Sequence, residues 1–277
     1  MSLSIRSAPS SRGKVRLDRL VVERGLAPSR ERALGLILAG QVVVDGRVFS
    51  KAGQLVRSTA ALSLREPDHP YVSRGGVKLA HALRAFGIAV GGRIAVDVGA
   101  STGGFTHCLL LEGATTVYAV DVGHRQLDAR LRRDPRVVLL EGVNARALSP
   151  ALFPEPPDLA TIDVSFIGLE KVLPAIVSCL VGAREIVALV KPQFEAGRSE
   201  VGKGGVVRKA ETHRAVLTRL ATRIPDLGLF VLGIVASPLL GSKGNREFFF
   251  HLSGARPARD LDVSAAIDAA LQKGTHP

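Results

Sequence analysis

The 277-residue sequence predicts an α/β fold, in which a mostly parallel, doubly wound sheet is covered by helices on both faces and preceded by a small α+β module. Three observations carry that expectation. From Gly75 onward, strongly apolar runs of strand length alternate with segments of helical spacing, as in a sheet buried on both sides. The stretch Val96-Asp97-Val98-Gly99-Ala100-Ser101-Thr102-Gly103-Gly104-Phe105-Thr106 reads as a buried strand that breaks into a glycine-rich turn and opens a helix. Ahead of both, residues 14–64 read as helix, helix, hairpin and final strand, a compact unit of their own.

The elements follow in order. Residues 1–13 carry Arg6 and Arg12 among serines, without an acid or the apolar middle of a signal peptide, and are expected to be a flexible tail. In the first unit Leu17, Leu20 and Val21 have helical spacing and Gly25 stops that helix. Ser29 is placed as the N-cap of a second helix with Ala33, Leu34, Ile37 and Leu38 as its buried stripe, and Gly40 ends it. Val42 to Val44, an Asp45-Gly46 turn and Val48-Phe49 form a hairpin. Residues 65–74 are read as a short linker, because Pro67 and Pro70 exclude a continuous helix. The larger domain, 75–277, opens with a helix near 77–86. Its strands are expected at 94–98, 116–121, 137–140, 159–164, 186–191, 229–236 and 247–252.

Charge and composition narrow the function. Lys and Arg number 37 against 25 Asp and Glu, a net +12 that points to a polyanionic partner. The two cysteines, Cys108 and Cys179, sit in apolar helical patterns as small buried hydrophobes, and neither a disulfide framework nor zinc spacing is present. Such a chain suits a reducing, cytoplasmic compartment. The seven histidines are scattered, so no metal site is assigned. No apolar run reaches the roughly 18 residues of a membrane-spanning helix, and no membrane partner is expected.

The glycine-rich turn is the first candidate for a cofactor site. Its run is G-x-x-x-G-G where a dinucleotide fingerprint wants G-x-G-x-x-G, which disfavours a nicotinamide and favours S-adenosylmethionine. On this reading Asp97, Gly99, Ala100, Ser101, Thr102, Gly103, Gly104 and Phe105 surround the cofactor, and a side chain at Gly103 or Gly104 would obstruct it. Asp121 closes the next strand, 22 residues after Gly99, where an acid meets a ribose hydroxyl pair. Asn144 follows the third strand and is placed near the adenine. Asp163 and Lys191 lie at the carboxyl ends of two further apolar strands, the edge where ligands bind, and are expected to pair. Only nine of the 37 basic residues are lysines, so a lysine here is not simply the chain's habitual cation. Lys78, in "SRGGVKLAHAL", and Glu247, in "GSKGNREFFFHL", complete a set of four.

Two resemblances follow. The segment "GLAPSRERALGLILAGQVVVDGRV" resembles the alpha-L motif, the S-four-type RNA-binding module, which implies that Arg16, Arg19, Arg30 and Arg32 face RNA phosphates. Lys78, Asp163, Lys191 and Glu247 resemble the K-D-K-E tetrad of FtsJ-like ribose 2′-O-methyltransferases, which have a Rossmann-like, S-adenosylmethionine-dependent domain. More narrowly, "VSRGGVKL", "DVGASTGGFT", "AVDVG", "DPRVVLLEGVNAR", "IDVSFI", "VKPQFE", "GKGGVV" and "SPLLGSKGNREFF" resemble the TlyA family, also labelled haemolysin A. That likeness implies cytidine 2′-O-methylation in ribosomal RNA of the small subunit, the large subunit or both, with ribosomal RNA or ribosomal subunits as partners. A ribose hydroxyl is a poor nucleophile and must be deprotonated or tightly oriented. Lys191 is placed in that role, made easier to deprotonate by desolvation and by a second cation such as Lys78. Asp163 and Glu247 would fix it and the hydroxyl in line.

Three other readings compete. A membrane-lytic protein lacks a spanning helix, an amphipathic barrel pattern and a secretion signal. A non-catalytic RNA-binding or ribosome-assembly module leaves the tetrad unexplained, and a nicotinamide enzyme conflicts with the glycine spacing.

Overall fold

The computed structural model describes residues 13–27, 29–64, 69–197 and 200–272. The expected tail up to Arg12 and linker residues 65–68 lie outside the described residues. The chain divides into two compact units, Met1–Ser73 and Arg74–Pro277.

In the first unit β1 (Lys14–Arg16) leads into α1 (Leu17–Glu23), followed by α2 (Arg30–Leu38), β2 (Val42–Val44), β3 (Arg47–Val48), β4 (Leu55–Arg57) and β5 (Leu62–Leu64). Gly25 at φ 71° and Gly40 at φ 70° end the two helices in the left-handed region. The Ser29 hydroxyl accepts from the Arg32 amide at 3.2 Å and caps α2. Asp45 and Gly46, both at positive φ, make the tight β2–β3 turn, and β2 pairs antiparallel with β3 and β5. A β1–β4 pair is not among the expected elements: Lys14 to Arg16 pair antiparallel with Leu55 to Arg57. The buried face of α2 also differs. Ala33, Leu36 and Ile37 face the core, whereas Leu34 and Leu38 are 40% and 47% exposed. Leu17, Leu20 and Val21 of α1 meet the 33–36–37 face in one apolar cluster with Val42 and Val44, so helix–helix packing set the rotation.

The second unit runs α3 (Gly75–Phe86), β6 (Ile94–Val98), α4 (Gly104–Leu111), β7 (Thr116–Asp121), β8 (Val137–Glu141), β9 (Leu159–Ile162), α5 (Leu173–Cys179), β10 (Glu185–Val190), α6 (Pro192–Glu195), α7 (Ala210–Arg223), β11 (Phe230–Ala236), β12 (Phe248–Ser253) and α8 (Val263–Gln272). Its seven strands form one sheet in the order β11-β12-β10-β9-β6-β7-β8. Neighbours from β10 to β8 are parallel, while β12 runs antiparallel to β10 and to β11. This is the Rossmann-like α/β arrangement that the strand-and-helix alternation predicts.

Strand alternation sorts the core into two layers. Val96, Val98, Ile162, Val190, Phe248 and Phe250 point to the face covered by Ile176 of α5, Leu217 and Leu220 of α7 and Ile267 of α8. Phe249 points the other way and stacks on Phe105 of α4, with ring centres 6.1 Å apart. On that same face Phe86 of α3 lies against Gly233 of β11, where a Cβ would sit 2.8 Å from its ring.

Candidate active site

The carboxyl ends of the parallel strands meet at one edge, where strand register sets Asp163, Lys191 and Glu247 and a helix adds Lys78. Val98 pairs with Ile162, which sets Gly99 beside Asp163. Val190 pairs with Phe248, which sets Lys191 opposite Glu247 on the antiparallel neighbour. The four residues of the expected tetrad form two ion pairs. Lys191 Nζ lies 2.6 Å from Asp163 Oδ1 and donates to Ser165 Oγ at 2.9 Å. Lys78 Nζ, reaching over from α3, lies 2.6 Å from Glu247 Oε2. The lysine side chains are 12% and 14% exposed, so each charge is largely withdrawn from water and needs its carboxylate.

The carboxylate of Glu247 offsets the Lys78 charge, and Asp163 offsets that of Lys191. Gly241 makes room for the Glu247 carboxylate, which a Cβ at residue 241 would strike.

Beside the Asp163–Lys191 pair a cavity of about 460 Å³ opens over the glycine turn. Gly99, Ser101, Asp121, Asn144 and Asp163 line it, with Val98, Val120, Val122 and Val143 as apolar walls. Asp121 is held in a fixed pose: Oδ2 accepts from the Ser101 amide and Oδ1 from the Gly123 amide, both at 2.7 Å. Asn144 Oδ1 accepts from the Arg146 amide at 3.0 Å and caps a short turn at 145–147.

The remaining predicted cofactor residues do not line this cavity. Asp97 is the plainest case. Alternation along β6 turns it to the α4 face, where it is fully buried and accepts from Thr106 Oγ1 at 2.7 Å and Thr161 Oγ1 at 3.1 Å. Burial pushes its carboxyl up to about 7, against the two threonine bonds that favour the ionised form. Phe105 is buried on Phe249. Ala100 donates its amide to Val120 O at 3.0 Å, and the Thr102 carbonyl accepts from Asp128 at 3.2 Å. Gly103, at φ 94°, precedes α4, and Gly104 begins it.

Two of the glycines in this turn are also required by the chain itself. A Cβ on Gly99, at φ 91°, would come 2.5 Å from the Asp163 carbonyl oxygen. One on Gly103 would strike the methyl groups of Leu127 and Leu131. Both make room for the protein's own chain.

Several lining residues escaped the sequence reading. Ser165 completes the Lys191 contacts from "DVSF", two residues after Asp163. Phe166, at φ 63° and 90% exposed, stands at the cavity with its ring 4.8 Å from that of Phe194. An aromatic in a chain only 4% aromatic was the available signal. Gln126 and Arg146 also line the cavity, and nothing in their local sequence marks them.

In the first unit, Asp18 gathers two of the four arginines. Arg16 reaches it at 3.0 Å and Arg30 at 2.8 Å, while Asp18 itself is nearly buried. The Arg16 hydrogen bond, helped by Arg30, holds the Asp18 carboxyl down at about 2. Arg19 pairs with Glu23 at 2.6 Å along α1. Arg32 lies in the first turn of α2.

Comparison with known proteins places this architecture. The family model described as FtsJ-like methyltransferase matches residues 71–253, and that of the S4 domain matches residues 15–61. The class is therefore a methyltransferase domain preceded by an S4 module. Among relatives, the 16S/23S rRNA (cytidine-2′-O)-methyltransferase TlyA of Mycobacterium tuberculosis is 46% identical over 94% of this chain and 98% of its own length. Hemolysin A of Brachyspira hyodysenteriae is 43% identical over 86% of this chain and 99% of its own length. A solved Streptococcus thermophilus structure carrying the hemolysin name superposes with a TM-score of 0.75 at 42% identity, over 94% of this chain and 95% of that one. The chain belongs to the TlyA family of FtsJ-like methyltransferases. Among the described residues no helix is long and apolar enough to cross a membrane.

Proposed function

We propose that the protein transfers a methyl group from S-adenosylmethionine to the ribose 2′-hydroxyl of cytidine in ribosomal RNA, acting in the cytoplasm on RNA or ribosomal subunits. The observation that carries this reading is the pair of ion pairs, Lys191–Asp163 and Lys78–Glu247, beside a cavity at the carboxyl edge of the sheet. The cavity suits the donor. The oriented Asp121 carboxylate can accept from a pair of ribose hydroxyls, and Val122 and Val143 offer apolar surface to a base. The bound donor supplies a methyl group on a sulfonium, which leaves as the sulfur regains a neutral thioether.

The chain's own residues handle the hydroxyl. Lys191 Nζ sits at the strand end beside the cavity, where it can hold the 2′-oxygen and, once its own proton is released, accept the hydroxyl proton. Asp163 and Ser165 fix the ammonium from two directions. Lys78 and Glu247 brace the other flank of the same edge, and Gly241 leaves space for the Glu247 carboxylate. Arg16, Arg19, Arg30 and Arg32 of the S4 module contribute phosphate contacts.

The test is methyl transfer from radiolabelled S-adenosylmethionine to ribosomal RNA, followed by mapping of ribose methylation. Label at cytidine 2′-oxygens supports the reading. RNA binding without label would make the protein a non-catalytic RNA-binding module.

A further inference from the structure

Residues 201–223 carry six basic side chains against a single acid, Glu211. Three of the six lie along α7 and are matched by carboxylates: Arg214 with Asp268, Arg219 with Glu195 at 3.8 Å, and Arg223 with Glu170 at 3.1 Å. The other three, Lys203, Arg208 and Lys209, are exposed and have no carboxylate partner among the described residues. They stand on the loop leading into α7, with Lys209 as its N-cap residue. A cation at the N-cap opposes the helix dipole, so Lys209 is not placed there to stabilise α7.

The loop that bears them is fastened to the arm that carries Glu247. Asn245 is 1% exposed; its Oδ1 accepts from the Val207 amide at 3.0 Å, and its Nδ2 donates to Gly205 O at 3.0 Å and Ser242 O at 3.1 Å. Lys243, held at φ 60°, donates to Gly204 O at 2.5 Å. Gly202 and Val206 close the loop on itself through a β-bridge. Arg246 in turn donates to the carbonyls of Ala270 and Leu271 in α8. Two loops that would otherwise be independent are thus joined into one clasp. It presents Lys203, Arg208, Lys209 and Lys243 to solvent and leads directly into Glu247.

We propose that this clasp grips backbone phosphates of the substrate RNA beside the Glu247 flank of the site, a contact surface on the methyltransferase domain separate from that of the S4 module. The proposal rests on the RNA methyltransferase reading above. It commits to RNA over an anionic membrane because the cations are continuous with the catalytic edge and lie on a hydrogen-bonded loop rather than on an amphipathic helix. Fixing the loop in advance reduces the ordering cost of contacting a flexible strand.

The experiment compares the full-length protein with a Lys203→Ala, Arg208→Ala, Lys209→Ala variant. It measures binding to a ribosomal RNA fragment across a salt series, donor binding by calorimetry, and methyl transfer. Each lost phosphate contact lowers the log–log salt slope by roughly 0.7 for single-stranded RNA, so the variant's slope should be shallower by about 2. Its affinity for S-adenosylmethionine should equal that of the wild type, and its melting temperature should not fall. An unchanged slope alongside active wild-type enzyme overturns the clasp alone, even if the variant loses binding to phosphatidylserine vesicles, which would assign the cations to a lipid surface. Wild-type protein that neither binds nor methylates RNA overturns the parent reading and the clasp with it.

Discussion

Lys191 concentrates the proposed chemistry in one ammonium, paired with Asp163 at 2.6 Å and bonded to Ser165. Lys191→Arg keeps the charge but replaces an amine, which can give up and take back a proton, with a guanidinium that stays protonated. If Lys191 accepts the hydroxyl proton, Arg and Ala variants should both lose turnover by about 10²-fold or more with donor and RNA binding retained. Single-turnover methyl transfer across a pH series checks this; substantial activity in the Arg variant alone would make Lys191 an electrostatic positioner. Gly103 poses a different question, since a Cβ there would strike the methyl groups of Leu127 and Leu131. Gly103→Val should therefore lower the melting temperature, with any loss of donor binding following from that. A full-stability variant with weakened donor binding would restore the obstruction account. Asp97 supplies a pH signature. Folded, it keeps its proton up to about pH 7, whereas the unfolded chain releases it near the ordinary 3.8. Between those values the folded state binds more protons, so this residue's contribution to stability falls as pH rises. Denaturation of Asp97→Asn over pH 4–8 should show a flatter profile than the wild type.

At the scale of elements, α1 and α2 act together through Asp18, which fixes Arg16 and Arg30 while leaving their side chains 52% and 63% exposed. A guanidinium anchored on one side and open on the other can meet a phosphate at little entropic cost. Neutralising Arg30 and Arg32 together should reduce the salt slope of RNA binding by roughly 0.7–0.9 per contact and leave donor affinity unchanged. An unchanged slope would mean that these arginines turn away from RNA. The two helices also show where local pattern runs out. The 3.6-residue period fits stripes at 33–34–37–38 and at 33–36–37 alike, and only the apposed face of α1 selects the second. Likewise β1 and β4 are three residues each, too short for alternation to announce them before they pair.

At the scale of the whole molecule, an RNA engaged by both the S4 module and the methyltransferase domain depends on the effective concentration that the connecting segment sets. Inserting a flexible Gly-Ser stretch after Pro70 should lower methylation at limiting RNA while each domain keeps its own ligand affinity, as read by parallel binding and turnover assays. Full turnover with the insertion would mean that the domains act independently. The strand-and-helix alternation of residues 75–277, the placement of Asp163, Lys191 and Glu247 at strand ends and the TlyA likeness are all legible in the residues alone. Apolar runs, glycine turns and family motifs are local, and each strand-end position follows from where its run stops. Which lysine meets which carboxylate was settled by packing across the fold: it depends on β12 running antiparallel beside β10 and on α3 reaching over the edge. Packing also decided that Asp97 lies under α4 and that Gly99 and Gly103 yield space to the chain itself. Contacts of this kind join residues distant in sequence, and no periodicity or spacing records which face a neighbour will cover.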